Sequence, residues 1–549
     1  MNKVLESPSD SPQRQKHLNP RLVKSLVLAT ALCLAFLRVA PAFTFQAGND
    51  RVFLGFPYSI EDTLQYADFV AQAKDHGSLF LSNRFTLDHE SPRLIILPIY
   101  LIGQLAATFD MQISTAWSIS QALLIICFVL LWYWFVGFFF KDTTSRLLAF
   151  SFVLIAGGLD GWVVLFSDIW PQAWVHVLKR DLWVVLGWTP YMTMYNPLYL
   201  AGWIALLAWL GLVKKSFDAG GTWPALLAAI GLPLIYLVHA YDSAVAILTL
   251  TFIPLHALLI RFDTKAFFRA LRTSAIIGIG IIPVACIAWW QSKDPLFAKV
   301  ASEGQSGMFV SPDMWLLGFG GIFLTAMYGM SNLGNSTTRA SLLFGWLTAS
   351  ALLSFSPLFE GRHFLYFVSL PLGLVAVDGL LLLKNKIAWT RKKKVVFAVV
   401  IVLIFGNSFI RTTQRAFTHP YKDPRMTISK SELAMAKRLR ALPPGGVLAS
   451  RKTCLWLPHI CDHRCVMGHW FLTWDMAQKM SMFKRLVSGR ISPEATDVLL
   501  KKFGAKYLFW STTESTMGSI PRPARVQLLP LAKTNDTILY EIRTNPAME

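Results

Sequence analysis

The sequence predicts an all-α polytopic membrane bundle of about 11 transmembrane helices, followed by a small soluble α/β domain. Three observations carry this. The 549 residues are 54% hydrophobic and only 15% charged, with a mean hydropathy of +0.46, far too apolar for a soluble chain of this size. Apolar runs recur from residue 22 to residue 410, most of them near the roughly 20 residues that cross a bilayer core. After Thr412 the composition changes to a mixed chain punctuated by Pro443-Pro444-Gly445-Gly446, Ser492-Pro493 and Pro521-Arg522-Pro523.

Taken in order, residues 1–21 form a basic cytoplasmic tail, and the run 22–45 behind it reads as a retained signal anchor. Further runs lie near 94–109, 113–140, 147–166, 192–213, 223–239, 243–260, 273–291, 313–330, 340–356, 364–383 and 395–410. The segment 94–109 is short, carries Pro98 and follows Arg93. If it spanned, the basic N-terminus would face away from the basic loops at Lys141/Arg146, Lys214/Lys215, Arg261–Arg272, Arg339 and Lys384–Lys394, against the positive-inside rule. Read as a dip into the outer leaflet, it leaves eleven of the twelve runs as spans, with the N-terminus in and the C-terminus out. The expected domains are therefore 1–21, a membrane domain 22–411 with an outer loop 46–112, and an outer-face (periplasmic) domain 412–549 on the inner (cytoplasmic) membrane of the cell.

The soluble domain reads as helices at 430–441, 473–488 and 493–503 and strands at 447–453, 464–469, 505–511, 525–533 and 537–543. It holds 21 Lys and Arg against 10 Asp and Glu, which favours anionic head groups or phosphates nearby. The net charge of +20 belongs to loops and membrane lipids, and nucleic acid is excluded as a partner. The cytoplasmic loops are short and carry no glycine-rich nucleotide loop.

The unusual polar residues all fall on the outward side. At the start of an amphipathic stretch in the first outer loop stand Glu61 and Asp62, with Tyr66 one turn on. Ser59 with Asp62 three residues later makes an acceptable capping box, and Glu61 suits the positive end of the helix dipole; the same two carboxylates also suit general-base chemistry. His239 and Asp242 mark the outer end of one hairpin, and Glu360, Arg362 and His363 the outer start of another. Such groups either pair across the bundle mouth or line a substrate path. Arg362 presents a planar fork suited to phosphate oxygens. The Trp-rich loop 160–191 is explained by interfacial anchoring as well as by sugar stacking. Cys454, Cys461 and Cys465 sit among His459 and His463 in a spacing that fits no zinc pattern, so a disulfide between two of the three is expected; Cys33, Cys127 and Cys286 fall inside apolar spans.

This arrangement resembles the GT-C superfamily of membrane glycosyltransferases, in its protein O-mannosyltransferase and lipid A aminoarabinose transferase branch. The likeness rests on one span, a long outer loop with an acid-Tyr helix, a Pro-containing surface segment, a bundle and an outer C-terminal domain. Asp62-Thr63-Leu64-Gln65-Tyr66-Ala67 places Asp62 four residues before the Tyr, where the branch has its catalytic Asp; Thr63 replaces the second acid, with Glu61 on the other side. Ser91-Pro92 stands where the branch has Lys-Pro, so the phosphate contact would pass to Arg93. His239-Ala240-Tyr241-Asp242, Pro357 to Phe364 and Gly468-His469-Trp470-Phe471-Leu472-Thr473 are similar to an uncharacterised bacterial subgroup. The resemblance implies inverting transfer of a sugar from a polyprenyl-phosphate donor to a lipid or glycan acceptor at the outer face. Asp62 would be the base with Glu61 as partner, Arg362, Arg93 and His363 would meet the donor phosphate, and Tyr66, His239, Asp242, Glu360 and His469 would line the cavity. No cofactor is implied, although Glu61, Asp62, His239 and Asp242 could supply ligands to a divalent cation. A transporter or lipid flippase, and a non-catalytic component of cell-surface polysaccharide assembly, are the competing readings.

Overall fold

The computed structural model describes residues 19–88, 92–155, 194–260, 262–295, 312–331, 338–356, 361–386 and 423–543, with scattered positions between 390 and 421. Expectations on 160–191, on Glu360 and on the span 395–410 lie outside the described residues, and so do the side chains of Arg362 and His363.

The membrane part follows the apolar runs. Helix α1 spans Pro20–Thr44, α2 Ile60–His76, α3 Leu97–Thr108, α4 Ile113–Val136 and α5 Thr143–Ile155. Then come α6 (Pro197–Ala219), α7 (Thr222–Val238), α8 (Ala240–Leu259), α9 (Thr264–Gly278) and α10 (Ile281–Gln291). Helices α11 (Pro312–Gly329), α12 (Thr338–Ser354) and α13 (Leu365–Lys386) follow among the described residues. Five of these, α1, α4, α6, α8 and α13, are long and apolar enough to cross a membrane, or six if α9 and α10, bent by 42° at their junction, form one span. The architecture is that of a multi-pass membrane protein. Its core is aromatic, built on Trp132, Trp203, Trp346 and Tyr366, all fully buried. Cys33, Cys127 and Cys286 lie on these helices and are exposed at their surface.

Segment 94–109 yields only the 12 residues of α3, about 18 Å of helix at 1.5 Å per residue, short of a core crossing. It lies against α2. The approach is close because Gly103 has no Cβ, which would lie 2.4 Å from the Cβ of Ala73.

The C-terminal part is a mixed sheet of order β4-β3-β5-β7-β6, formed by β3 (Gly446–Leu448), β4 (Arg464–Cys465), β5 (Tyr507–Trp510), β6 (Gln527–Lys533) and β7 (Ile538–Arg543). Strand β3 runs parallel to β4 and β5, and β7 antiparallel to β5 and β6. Helices at Lys430–Arg440, Met476–Val487 and Pro493–Phe503 match the expected segments. The expected strand 447–453 stops at Leu448, because Ser450 caps a helix at Arg451–Trp456, accepting from the Thr453 amide. The expected strand 464–469 is likewise only two residues long.

The loop after α1 and the C-terminal domain share one core. Strand β1 (Arg51–Phe53) pairs antiparallel with β2 (Thr427–Ser429), and Leu54, Phe56, Ile60 and Leu64 pack with Met426, Met435, Leu439 and Trp456. Residues 83–86 run along the edge of the sheet: the Cys465 amide donates to the Arg84 carbonyl at 2.8 Å, Asn83 to the Leu472 carbonyl at 2.7 Å and Thr473 to the Phe85 carbonyl at 2.8 Å.

Candidate functional site

Two adjacent acids open α2, and their surroundings differ. The capping box expected at Ser59 is not formed. Ser59 adopts a left-handed backbone (φ 38°) with no side-chain cap, an uncommon conformation for a residue with a Cβ. Its Oγ instead donates to Asp62 Oδ2 at 2.9 Å and hydrogen-bonds Tyr195. Asp62 keeps 44% of its side chain exposed and has His469 Nε2 3.8 Å from Oδ1, the imidazole itself being almost fully buried. Glu61 is clamped from the other domain, accepting from Arg425 Nη1 at 2.7 Å and from Arg451 Nη2 at 2.8 Å.

Behind Asp62 the chain assembles a belt of tyrosines. Tyr66 stacks on Trp117 with centroids 6.2 Å apart. Burial, then the charge of Asp62 and the neighbouring Tyr241, holds its phenol protonated well above the ordinary value. Tyr195 touches Tyr58 and Tyr199, and Tyr199 touches both His239 and Tyr366. The belt ends on His239, whose Nδ1 lies 2.8 Å from Asp242 Oδ2 and 2.9 Å from the Tyr366 hydroxyl. Asp242 is fully buried, and its Oδ1 has no hydrogen-bond partner among the described residues. Gly202 makes room for it: a Cβ there would lie 2.1 Å from Asp242 Oδ2. Arg38, on the C-terminal half of α1, is buried with its guanidinium carbon 5.4 Å from the Tyr58 ring centroid.

The sequence-derived residues thus fall into separate groups. Asp62, Tyr66 and His469 come together, and His239 pairs with Asp242 at the other end of the belt. Arg93 lies against α10, donating to the Trp290 carbonyl at 3.0 Å with its guanidinium over the Trp290 ring. Glu61, Asp62, His239 and Asp242 do not form one metal-binding group, and no three His, Cys, Asp or Glu side chains placed to hold a metal ion are found among the described residues. Sequence reasoning missed Tyr195, Tyr199, Tyr366 and Arg38. The tyrosines give no periodic signal beside an apolar helix, whereas an arginine inside the first apolar run was a visible anomaly.

The cysteines need a correction. Cys454, Cys461 and Cys465 are free and buried rather than disulfide-bonded, with Cys454 and Cys465 hydrogen-bonded. They pack into the core between the loop and the sheet, where burial pushes the Cys461 and Cys465 thiols up and cysteine behaves as a small hydrophobe. The intervening Asp462 accepts from Arg84 at 2.5 Å and contacts His76 at 3.0 Å, while Arg84 also reaches buried Asp68 at 3.4 Å. These charges fasten the domain to α2.

The backbone shares its fold with solved oligosaccharyltransferase and arabinofuranosyltransferase structures. It is similar to the oligosaccharyltransferase of Archaeoglobus fulgidus in its apo form, with a TM-score of 0.55 at 13% identity, covering 91% of this chain and 72% of that one. The arabinofuranosyltransferase AftD from Mycobacteria is similar too, with a TM-score of 0.54 at 13% identity over 96% of this chain and 40% of that one. A complex of the archaeal enzyme AglB with an inhibitory peptide and a dolichol-phosphate aligns at a TM-score of 0.50 and 12% identity, over 90% and 70% of the two chains. No protein-family model matches the sequence, and no curated protein does.

Proposed function

We propose that this protein is a membrane glycosyltransferase that moves a sugar from a polyprenyl-phosphate donor to an acceptor hydroxyl at the outer face of the cytoplasmic membrane. One observation carries the reading: Asp62 is a half-exposed carboxylate at the head of α2, accepting from Ser59, with the buried His469 imidazole 3.8 Å away, and continuous with the tyrosine belt that enters the bundle. The AglB complex holds a dolichol-phosphate, and a lipid phosphate of that kind suits a bundle mouth bearing arginines.

In the proposed displacement Asp62 takes the acceptor proton as the acceptor oxygen attacks the anomeric carbon. The bond from that carbon to the donor phosphate breaks, and its electron pair leaves on the lipid phosphate, with inversion and no covalent enzyme intermediate. Arg362, Arg93 and His363 are assigned to the leaving phosphate, and the scheme calls on no cofactor. Glu61 is assigned to hold the outer domain over the base. Tyr66, His239, Asp242, Glu360 and His469 are assigned to the substrate cavity. The eleven-span topology belongs to the same proposal, since it gathers these residues on one side.

The test is transfer from a radiolabelled polyprenyl-phosphate sugar in membranes bearing Asp62→Asn or Arg362→Ala. Undiminished transfer in both variants would overturn the assignment. A reporter fused after Phe109 tests the topology, and a cytoplasmic signal there would overturn it.

A further inference from the structure

Beside the base lies a pocket of about 290 Å³ that the proposed displacement does not use. Its rim carries four cations, Arg425, Arg451, Lys452 and Lys484, and one acid, Glu61. Glu61 joins Arg425 and Arg451, and Asp423 accepts a further bond from Arg425 at 2.7 Å. Neither Lys452 nor Lys484 has an ion-pair partner among the described residues. Four cations against two acids leave two positive charges in excess. The apolar part of the lining is soft: Leu455, Met467 and Phe483 are buried, Met480 and Met517 line the pocket with them, and methionines adapt to irregular ligand bodies.

The pocket adjoins the chemistry through both of its walls. Glu61 precedes Asp62 on α2, and Met467 lies two residues before His469, the residue that meets Asp62 at 3.8 Å.

We infer that this pocket receives a phosphate monoester on the acceptor, holding the acceptor body against the methionine lining with its hydroxyl toward Asp62. Two observations select a phosphate monoester. The excess of two cations matches the roughly −1.5 to −2 charge of such a group near neutral pH. Arg425 spends its guanidinium on Asp423 and Glu61, so the donors to the phosphate are the remaining N–H groups of Arg451 and the point charges of the two lysines. The ester could sit on a soluble sugar phosphate or on a lipid head group. The acceptor role rests on the reading of Asp62 as base; anion binding itself does not.

The experiment uses the full chain in phosphatidylcholine nanodiscs and measures the shift of the unfolding midpoint with each probe. The probes are glucose 6-phosphate against glucose, and nanodiscs doped with phosphatidic acid against undoped ones. Stabilisation by glucose 6-phosphate supports a soluble phosphate, and stabilisation by phosphatidic acid alone supports a lipid head group. In either case Lys452→Ala/Lys484→Ala should weaken the response at least five-fold, and Lys484→Gln alone should weaken it partially; both lysines are exposed. Equal responses to charged and neutral probes, or an undiminished response in the double variant, would overturn the inference. Asp62→Asn separates the two readings: it should keep the response to phosphate while losing transfer. A phosphate response with transfer intact in Asp62→Asn sinks the base, whereas lost transfer without any phosphate response sinks the pocket.

Discussion

The two ends of the tyrosine belt hold an acid each, and they are built on opposite principles. At the bundle mouth Asp242 is fully buried, held by His239 and shaped around by Gly202. At the head of α2 Asp62 is 44% exposed, with Ser59 donating to it and His469 3.8 Å away. A carboxylate sealed in apolar surroundings is costly unless paired, and it serves to fix geometry. A partly exposed carboxylate can gain and lose a proton. The contrast repeats within one turn of helix, since Glu61, next in the chain, is tied by two arginines.

That contrast can be broken by experiment. The largest effect is expected at Asp62. Asp62→Asn should lower the transfer rate by about 10²- to 10⁴-fold, the usual worth of a general base, with the unfolding midpoint nearly unchanged; a comparable loss of stability would make Asp62 a structural acid like Asp242. His239→Leu should differ in costing about 3 kcal/mol of stability as well, because it strands a buried carboxyl. Chemical unfolding in detergent reads this, and an unchanged midpoint would mean that the pair contributes nothing to the bundle.

The seam between α2 and the C-terminal domain carries two titrating groups of opposite sign. Burial pushes Asp68 up to about 6, against the lowering effects of Arg84 and Gln72. The stability linked to its proton is therefore complete below its unfolded value near 4 and is lost as pH rises through about 6. His459, buried against Phe56, is lowered to about 4 by burial. Its contribution is present above its unfolded value near 6.5 and is lost as pH falls toward 4. Over that common window the two slopes oppose each other. Asp68→Asn should unmask the histidine, so that unfolding curves between pH 4 and 6.5 steepen toward acid by about 2–3 kcal/mol relative to the parent. Parallel curves for the two proteins would refute the assignment.

The smallest effect is expected at the clamp. Glu61→Ala removes an ion pair whose arginines are 33% and 41% exposed, and screening limits its worth to about 1 kcal/mol or less. Its effect should appear instead as faster hydrogen exchange in β1 and β2, the strands that join loop to domain. Unaltered exchange there would mean that the shared apolar core alone holds the two together.

How much of this was legible in the sequence varies with the range of the forces involved. Most bundle helices fall within a few residues of their apolar runs, because a hydrophobic stretch is a local property. The long run 273–291 is the exception: it divides into α9 and α10. In the soluble part, helix 493–503 keeps its expected bounds, while the strand expected at 447–453 is cut short by a serine cap that the β-like residues around it concealed. The cysteines were misread because their spacing says nothing about burial.

The acids at the head of α2 return to that division. By itself the sequence determined that a basic-flanked apolar chain forms a helical membrane bundle, and that Glu61, Asp62 and Tyr66 open an amphipathic helix after its first span. Periodicity and hydropathy are written in neighbouring residues. Only the tertiary structure decided that the two acids differ. The arginines that clamp Glu61 come from 364 and 390 residues away, and the histidine beside Asp62 comes from the same distant domain. Consecutive residues on a helix point about 100° apart, so one faces that domain's basic pocket and the other the tyrosine belt. No local pattern encodes which surface each acid will meet.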